Sequence, residues 1–271
     1  MRNVTTVGID LAKNVFSLHG VDEIGTVVLR KTVSRARLLE VVAQLPACVI
    51  GLEACSGAHE WARRFARMGH MVKLMAPKFM APYRRSGKND GNDAEAICEA
   101  VSRPSMRFVP IKSVEQQAML TLPRVRLGFV EERTATINRI RGLLAEFGVV
   151  LPQRAVEVRR SAMAALEQLP GPAARALTDL LAHVRLLDER VAVYARELKQ
   201  HARRNARARR IQELSGVGPI SASAIVSSVA DAHEFKNGRQ FAAWLGLIPK
   251  QYSTGGKTRL GHITGHGDPS L

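Results

Sequence analysis

Three things are scarce in this chain, and each shortage excludes something. Cysteine is the first: only Cys48, Cys55 and Cys98 occur in 271 residues. The number is odd, their surroundings are apolar and no Cys-x-x-Cys spacing is present, so a disulfide scaffold is excluded. Buried, reduced thiols are expected, as in the cytoplasm. Long hydrophobic runs are the second shortage, and no stretch is apolar for long enough to span a bilayer. The opening "MRNVTTVGIDLAKN" carries a charge near its apolar run and no small-residue cleavage site, which excludes a signal peptide. A soluble cytoplasmic protein with no membrane partner is expected. Acids are the third: 24 Asp and Glu stand against 40 Lys and Arg, a formal net charge of +16. Such a surplus points to a polyanionic partner, because Lys and Arg release counterions condensed on phosphates. Apolar residues are not scarce. At 46% they suffice for a packed core and exclude a disordered tail protein.

The first 112 residues alternate between strand and helix patterns. "TTVGID" reads as a buried strand ending in an acid, and "VFSLHGVDEIGTVVLRKTV" as a hairpin turning at "DEIG". "SRARLLEVVAQL" has helical spacing with Ser34 as its cap. "ACVIGLEA" is a second buried strand that closes on an acid, Glu53. "AHEWARRFARMG" is a helix closed by Gly69, and "HMVKLMAP" is a third buried strand. Three strands in a meander followed by alternating helix and strand predict an α/β mixed sheet of the ribonuclease H type rather than a doubly wound nucleotide fold.

From about residue 113 long helices take over. "VEERTATINRIRGLLAEFG" is one. In another, Leu180, Val184, Leu187, Val191, Tyr194 and Leu198 alternate spacings of four and three, an a/d seam of nearly three heptads. Two readings stay open for it: packing inside one chain, or a coiled-coil interface between copies. "KQHARRNARARR" follows, and its Arg203, Arg204, Arg207, Arg209 and Arg210 suit phosphate contact. "IQELSGVGPISASAIVSSV" then reads as a helix-hairpin-helix turning at Gly216 and Gly218. Its exposed backbone N–H groups suit a nucleic-acid phosphate without reading bases.

Against this basic background a few acids stand out. Asp10 and Glu53 end buried strands, where a charge is costly unless paired or metal-bound. Asp90 and Asp93 open a helix in "GKNDGNDAEAI" and share one face of it. Each alone reads as a cap or turn residue. If the two strands are neighbours, however, their acids emerge at one sheet edge. Four converging oxygen donors are then the hard-ligand set that Mg²⁺ prefers. Two ions held so would assist attack on a phosphodiester.

"GIDLAKN", "LEACSGAHEWA", "KNDGNDAEAI", "INRIRGLLAEFG", "LSGVGPISASAI" and "FAAWLGLIPKQYSTGGKTRLG" together resemble the bacterial DEDD transposases of the insertion sequence 110 family, from about residue 4 to the end. The resemblance implies an N-terminal domain similar to the RuvC Holliday-junction resolvase, whose four acids match Asp10, Glu53, Asp90 and Asp93. It also implies a nucleophilic serine in a Ser-[Ser/Thr]-Gly-Gly loop, matching Ser253 in preference to Thr254. It implies, finally, DNA recombination by a homo-oligomer (dimer or tetramer) guided by a structured RNA encoded beside the gene, and association with the nucleoid when bound to DNA. The chemistry of the loop stands on its own terms. A serine attacking phosphate forms an ester that stores the bond energy, so rejoining needs no ATP. Gly255 and Gly256 let the backbone approach a phosphate, and Lys257 and Arg259 neutralise it.

The expected organisation is a RuvC-like catalytic domain over 1–112, a helical, partly coiled-coil segment over 113–210, and a small helical domain over 211–271 with the helix-hairpin-helix and the serine loop. Two departures from the family pattern are present. Pro123 falls where a continuous helix is expected, at a cost of about 3 kcal/mol or a kink. The chain also stops at "GHGDPSL", where members carry a basic residue before Gly-Asp and continue into another helix, so a truncated last domain is expected. Rival readings are a RuvC-type nuclease or resolvase using only the metal site, and an inactive nucleic-acid-binding remnant. An actin-like sugar kinase is set aside, because Leu11, Ala12 and Lys13 replace the small residues that its phosphate loop needs.

Overall fold

The computed structural model describes residues 3–83, 90–229, 231–265 and 267–268. It divides into two compact units, residues 1–112 and 113–271.

The first unit is built on a six-stranded mixed sheet of strand order β3-β2-β1-β4-β5-β6. Strands β1 (Thr6–Leu11), β2 (Val15–Val21) and β3 (Val27–Ser34) form the antiparallel meander. The turn between β2 and β3 is tied by Asp22, whose Oδ1 accepts from the Ile24 and Thr26 amides at 3.2 and 2.8 Å, and Gly25 supplies the positive φ of 83°. β4 (Val49–Glu53) and β5 (Met71–Met75) then add in parallel, and a short antiparallel β6 (Phe108–Val109) closes the edge. Parallel addition demands crossovers. These are supplied by α1 (Leu38–Ala43), preceded by a 3-10 turn, and α2 (Ala58–Arg67). Ser34 precedes that 3-10 turn but makes no capping hydrogen bond, so its expected cap role is not met. The short α3 (Pro77–Met80) and the longer α4 (Asp90–Val101) complete the unit.

One core cluster brings Val7, Ile9, Phe16 and Ile50 together with Leu38, Val42, Trp61 and Phe65, so α1 and α2 cover one sheet face. Alternation along the strands sends the other residues to the opposite face. There α4 packs closely. A Cβ built on Gly8 would lie 2.2 Å from the Ala94 carbonyl oxygen and 2.4 Å from the Cys98 nitrogen, and one on Gly51 would lie 2.9 Å from Val101. Two paired glycines in adjacent strands therefore let the helix backbone sit almost on the sheet.

The second unit begins with α5 (Val114–Ala145), α6 (Ala155–Ala165) and α7 (Gly171–Arg204). α5 starts earlier than its apolar pattern suggests, because Ser113 and Gln116 form a reciprocal capping box. It runs on through buried Pro123 as one helix. α5 and α7 pair antiparallel: Phe129 meets Tyr194 at 5.8 Å between ring centres, Arg133 bonds Asp188, and Ile137, Ile140 and Leu144 share a core with Leu177, Leu181 and Val184. Val184, Leu187, Val191 and Leu198 of the a/d seam are all buried within this one chain. Of the two readings of the seam, this is the within-chain one.

α8 (Ala206–Ile211), α9 (Pro219–Ser228) and α10 (Gly238–Trp244) follow. Phe235, Phe241 and Trp244 form an aromatic cluster with ring centres 5.1–5.8 Å apart. The end of the unit departs from the all-helical expectation. β7 (Pro249–Thr254) and β8 (Lys257–Ile263) make a two-stranded hairpin. Its cause is the Gly255-Gly256 pair with φ of 54° and 77°, the two-residue turn whose twist matches antiparallel strands.

Candidate active site

Asp10 and Glu53 stand side by side. β1 and β4 pair in parallel up to Ile9↔Leu52, and the next residues on each strand are these two acids. Each lies two positions beyond a glycine that faces α4, so strand alternation turns both carboxylates to that same face. Both are half-buried. Their joint charge is felt at Cys55: burial raises its thiol pKa first, and the negative charges of Glu53 and then Asp10 raise it further.

α4 runs antiparallel to β1. Cys98 Sγ lies against the Thr6 carbonyl at 3.7 Å, while Ala94 sits over Gly8. The N-terminal end of the helix therefore comes down at the end of β1 that carries Asp10. Asp93 is in that first turn and is buried, at 7% exposure. Asp90 is the first residue of α4, and its side chain lies outside the described residues. The other two cysteines, Cys48 and Cys98, are free and buried, with burial pushing each thiol up to about 11. Among the described residues no three His, Cys, Asp or Glu side chains close into a ready ligand group. The donors present are nonetheless all carboxylate oxygens on one sheet face, the chemistry that suits a hard divalent cation.

Sequence reasoning passed over Gly8 and Gly51. The signal was present: "GID" and "GLE" both place a glycine two residues before the acid, on the same strand face.

In the second unit Ser253 lies within β7 and is exposed. Its Oγ accepts from Gln251 Nε2 at 2.8 Å and donates toward Thr258 Oγ1 at 3.5 Å. Neither partner takes up a proton at neutral pH. Thr254 and Lys257 pair across the turn, as do Ser253 and Thr258, and Tyr252 and Arg259. Lys257 and Arg259 are exposed on β8. Arg203 and Arg204 occupy the last turn of α7, and Arg207, Arg209 and Arg210 lie on α8, all exposed. Gly216 takes a φ of 86°, and Gly218 caps α9, whose Pro219 starts the helix.

The first unit has the sheet and acid placement of a ribonuclease H-like DEDD domain. A DEDD transposase family model of the IS110 type matches residues 7–149, and a model described as "Transposase IS116/IS110/IS902 family" matches residues 208–271. The chain belongs to this family of insertion-sequence transposases. A Pseudomonas aeruginosa protein described as a probable family 20 transposase is 48% identical over 277 residues, spanning 99% of this chain and 81% of that protein. The transposase for insertion sequence element IS1328 of Yersinia enterocolitica is 43% identical, over 100% of this chain and 81% of its own length. The transposase for IS1111A of Coxiella burnetii is 40% identical, over 100% and 76%. Among the described residues no helix is long and apolar enough to cross a membrane.

Proposed function

We propose that this chain cuts and rejoins the DNA of its insertion sequence by metal-assisted attack of Ser253 on phosphodiester bonds, guided by a structured RNA encoded by the element. The observation that carries the reading is the side-by-side placement of Asp10 and Glu53 on the sheet face where α4 brings down Asp93.

Asp10, Glu53, Asp90 and Asp93 would hold Mg²⁺, as two ions. Bound there, the metal supplies positive charge to the phosphate as negative charge builds on it. Those acids otherwise repel one another and the DNA. Ser253 supplies the nucleophile. Its Oγ–P bond forms as the P–O bond to the departing DNA end breaks, and that end leaves as a free hydroxyl. An incoming DNA hydroxyl then reverses the exchange, restoring the serine. The Gln251 amide orients the Ser253 hydroxyl, and Lys257 and Arg259 neutralise phosphate beside the turn. Arg203, Arg204, Arg207, Arg209 and Arg210, with the α8–turn–α9 helix-hairpin-helix at Gly216 and Gly218, hold nucleic-acid backbone. This division of labour gives the catalytic domain residues 1–112, the helical segment 113–210 and the serine-bearing part 211–271. The chain works as a homo-oligomer through exposed surfaces of the helical segment, since its a/d seam is already covered by α5.

The test is recombination of the flanking element DNA by wild type, Asp10→Ala and Ser253→Ala, with trapping of the covalent protein–DNA adduct. Both variants are expected to lose strand exchange, and Ser253→Ala to lose the adduct. An adduct that persists in Ser253→Ala overturns the nucleophile. Loss in Asp10→Ala alone favours a metal-only nuclease.

A further inference from the structure

A second polar feature lies on the α4 face of the sheet, one strand away from Asp10. Register fixes its position. Asp10 pairs with Ser17, which pairs with Thr32, while Gly8 pairs with His19, which pairs with Arg30. Directly paired residues face the same way, so Ser17, His19, Thr32 and Arg30 share the face that carries the acids. Between these strands and the first turns of α4 is a cavity of about 300 Å³. His19 and Thr32 form its floor, Arg30 and Lys31 one wall, and Asn92 and Glu95 of α4 the other. None of these residues belongs to the site described above.

The chemistry of the lining is that of an anion pocket. Arg30 and Lys31 contribute two cations, Thr32 and Asn92 contribute neutral donors, and the start of α4 adds the positive end of a helix dipole. The one acid, Glu95, lies 3.8 Å from Arg30, with Arg30 mostly exposed. A pair this long and this open is worth little and readily gives up its guanidinium to a better partner. Cationic lining is also what a polyanion needs in order to approach a neighbourhood that already holds four carboxylates.

We propose that this pocket holds a phosphate of the DNA strand being processed, adjacent to the phosphate that is cut, with Arg30 and Lys31 as its ligands. The proposal rests on the four-acid reading of the first unit. DNA is chosen over RNA because the pocket lies on the row that leads to Asp10, along which the strand to be cut must pass.

The experiment uses the full chain and a labelled duplex of the element end, with an RNA of equal length as a second probe. Affinity is measured from 50 to 200 mM salt. Methylphosphonate, which is neutral, replaces each phosphate in turn. Arg30→Ala/Lys31→Ala is expected to reduce the salt slope for DNA by about 2, because each lost phosphate contact removes about 1. The double variant should also lose sensitivity to methylphosphonate at one position where wild type is sensitive. Glu95→Gln moves the other way and tightens DNA binding, which a merely unfolded variant would not do. An unchanged DNA slope, or a loss confined to the RNA probe, overturns the pocket assignment. If the variant effects appear but wild type never cuts DNA with Mg²⁺, the four-acid reading fails while the phosphate pocket stands.

Discussion

Asp10 lies in a strand hydrogen-bonded on both sides, near the middle of a six-stranded sheet, whereas Ser253 lies on a two-stranded hairpin whose residues are all exposed. The same chain thus holds two sets of catalytic candidates in opposite ways. In the first unit, position is over-determined. Strand register sets Asp10 beside Glu53, and the contacts of α4 with Gly8 and Gly51 set the depth of Asp93. Charges can be packed together there because the backbone has no freedom to let them drift apart. In the second unit, the rigid part is the α5–α7 pair with its buried Ile140, Leu144 and Val184, and the hairpin extends beyond that core. A lone two-stranded hairpin is marginally stable in water, so its shape depends on the Gly255-Gly256 turn. One site is specified by packing, the other by local turn chemistry.

That contrast breaks most severely at Gly8. A Gly8→Val side chain would drive into the backbone of Ala94 and Cys98, neither of which can yield like a side-chain tip. A loss of about 3 kcal/mol or more in urea unfolding is expected, together with loss of metal-dependent DNA cutting. Gly51→Ala is milder, since it meets the side chains of Val101 and Ile97. Destabilisation of about 1–3 kcal/mol is expected, and a Mg²⁺ titration of DNA cutting should show a higher half-saturating concentration. If Gly51→Ala leaves the Mg²⁺ requirement unchanged, the helix contact does not set the metal site.

Gly256→Val probes the other side of the comparison. A β-branched residue at a φ of 77° costs about 1–3 kcal/mol locally. The covalent adduct should disappear while calorimetric melting of the first unit is unmoved. The smallest effect is a pH dependence. His201 Nδ1 and Ser223 Oγ lie 2.6 Å apart between α7 and α9, and burial lowers the His201 pKa below its ordinary 6.5. The unfolded chain therefore binds the proton more readily. The stability contributed by neutral His201 is fully present above pH 6.5 and is lost as pH falls below it toward the folded value. Thermal melting of wild type from pH 8 to 5 should show this decline, and His201→Gln should flatten it.

Much of the candidate site was legible before any folding. Strand-end acids in "GID" and "GLE" and the Asp-x-x-Asp helix start were readable because burial makes a charge conspicuous. The hairpin at Asp22 and Gly25 was readable from turn chemistry. Ser34 misled, since a residue suited to capping can precede a 3-10 turn without bonding it. "STGG" was read as a loop, although two consecutive glycines between β-prone residues are also a hairpin signal. The early start of α5 was hidden in "SVEQ", where the cap lies outside the apolar period. The seam from Leu180 to Leu198 could not be assigned a partner, because a heptad pattern states that a face is covered and not by what.

The sequence by itself determined the local facts: a basic chain, thiols in apolar settings, acids at strand and helix ends, and glycines where the chain must turn. These depend on neighbours a few residues away. Tertiary structure alone decided that β4 pairs with β1, that α4 lies on the glycine face, and that Arg30 and Glu95 meet across a pocket on the same row system. Those outcomes depend on strand order and register, which bring together residues up to about 85 positions apart through packing that no short stretch encodes.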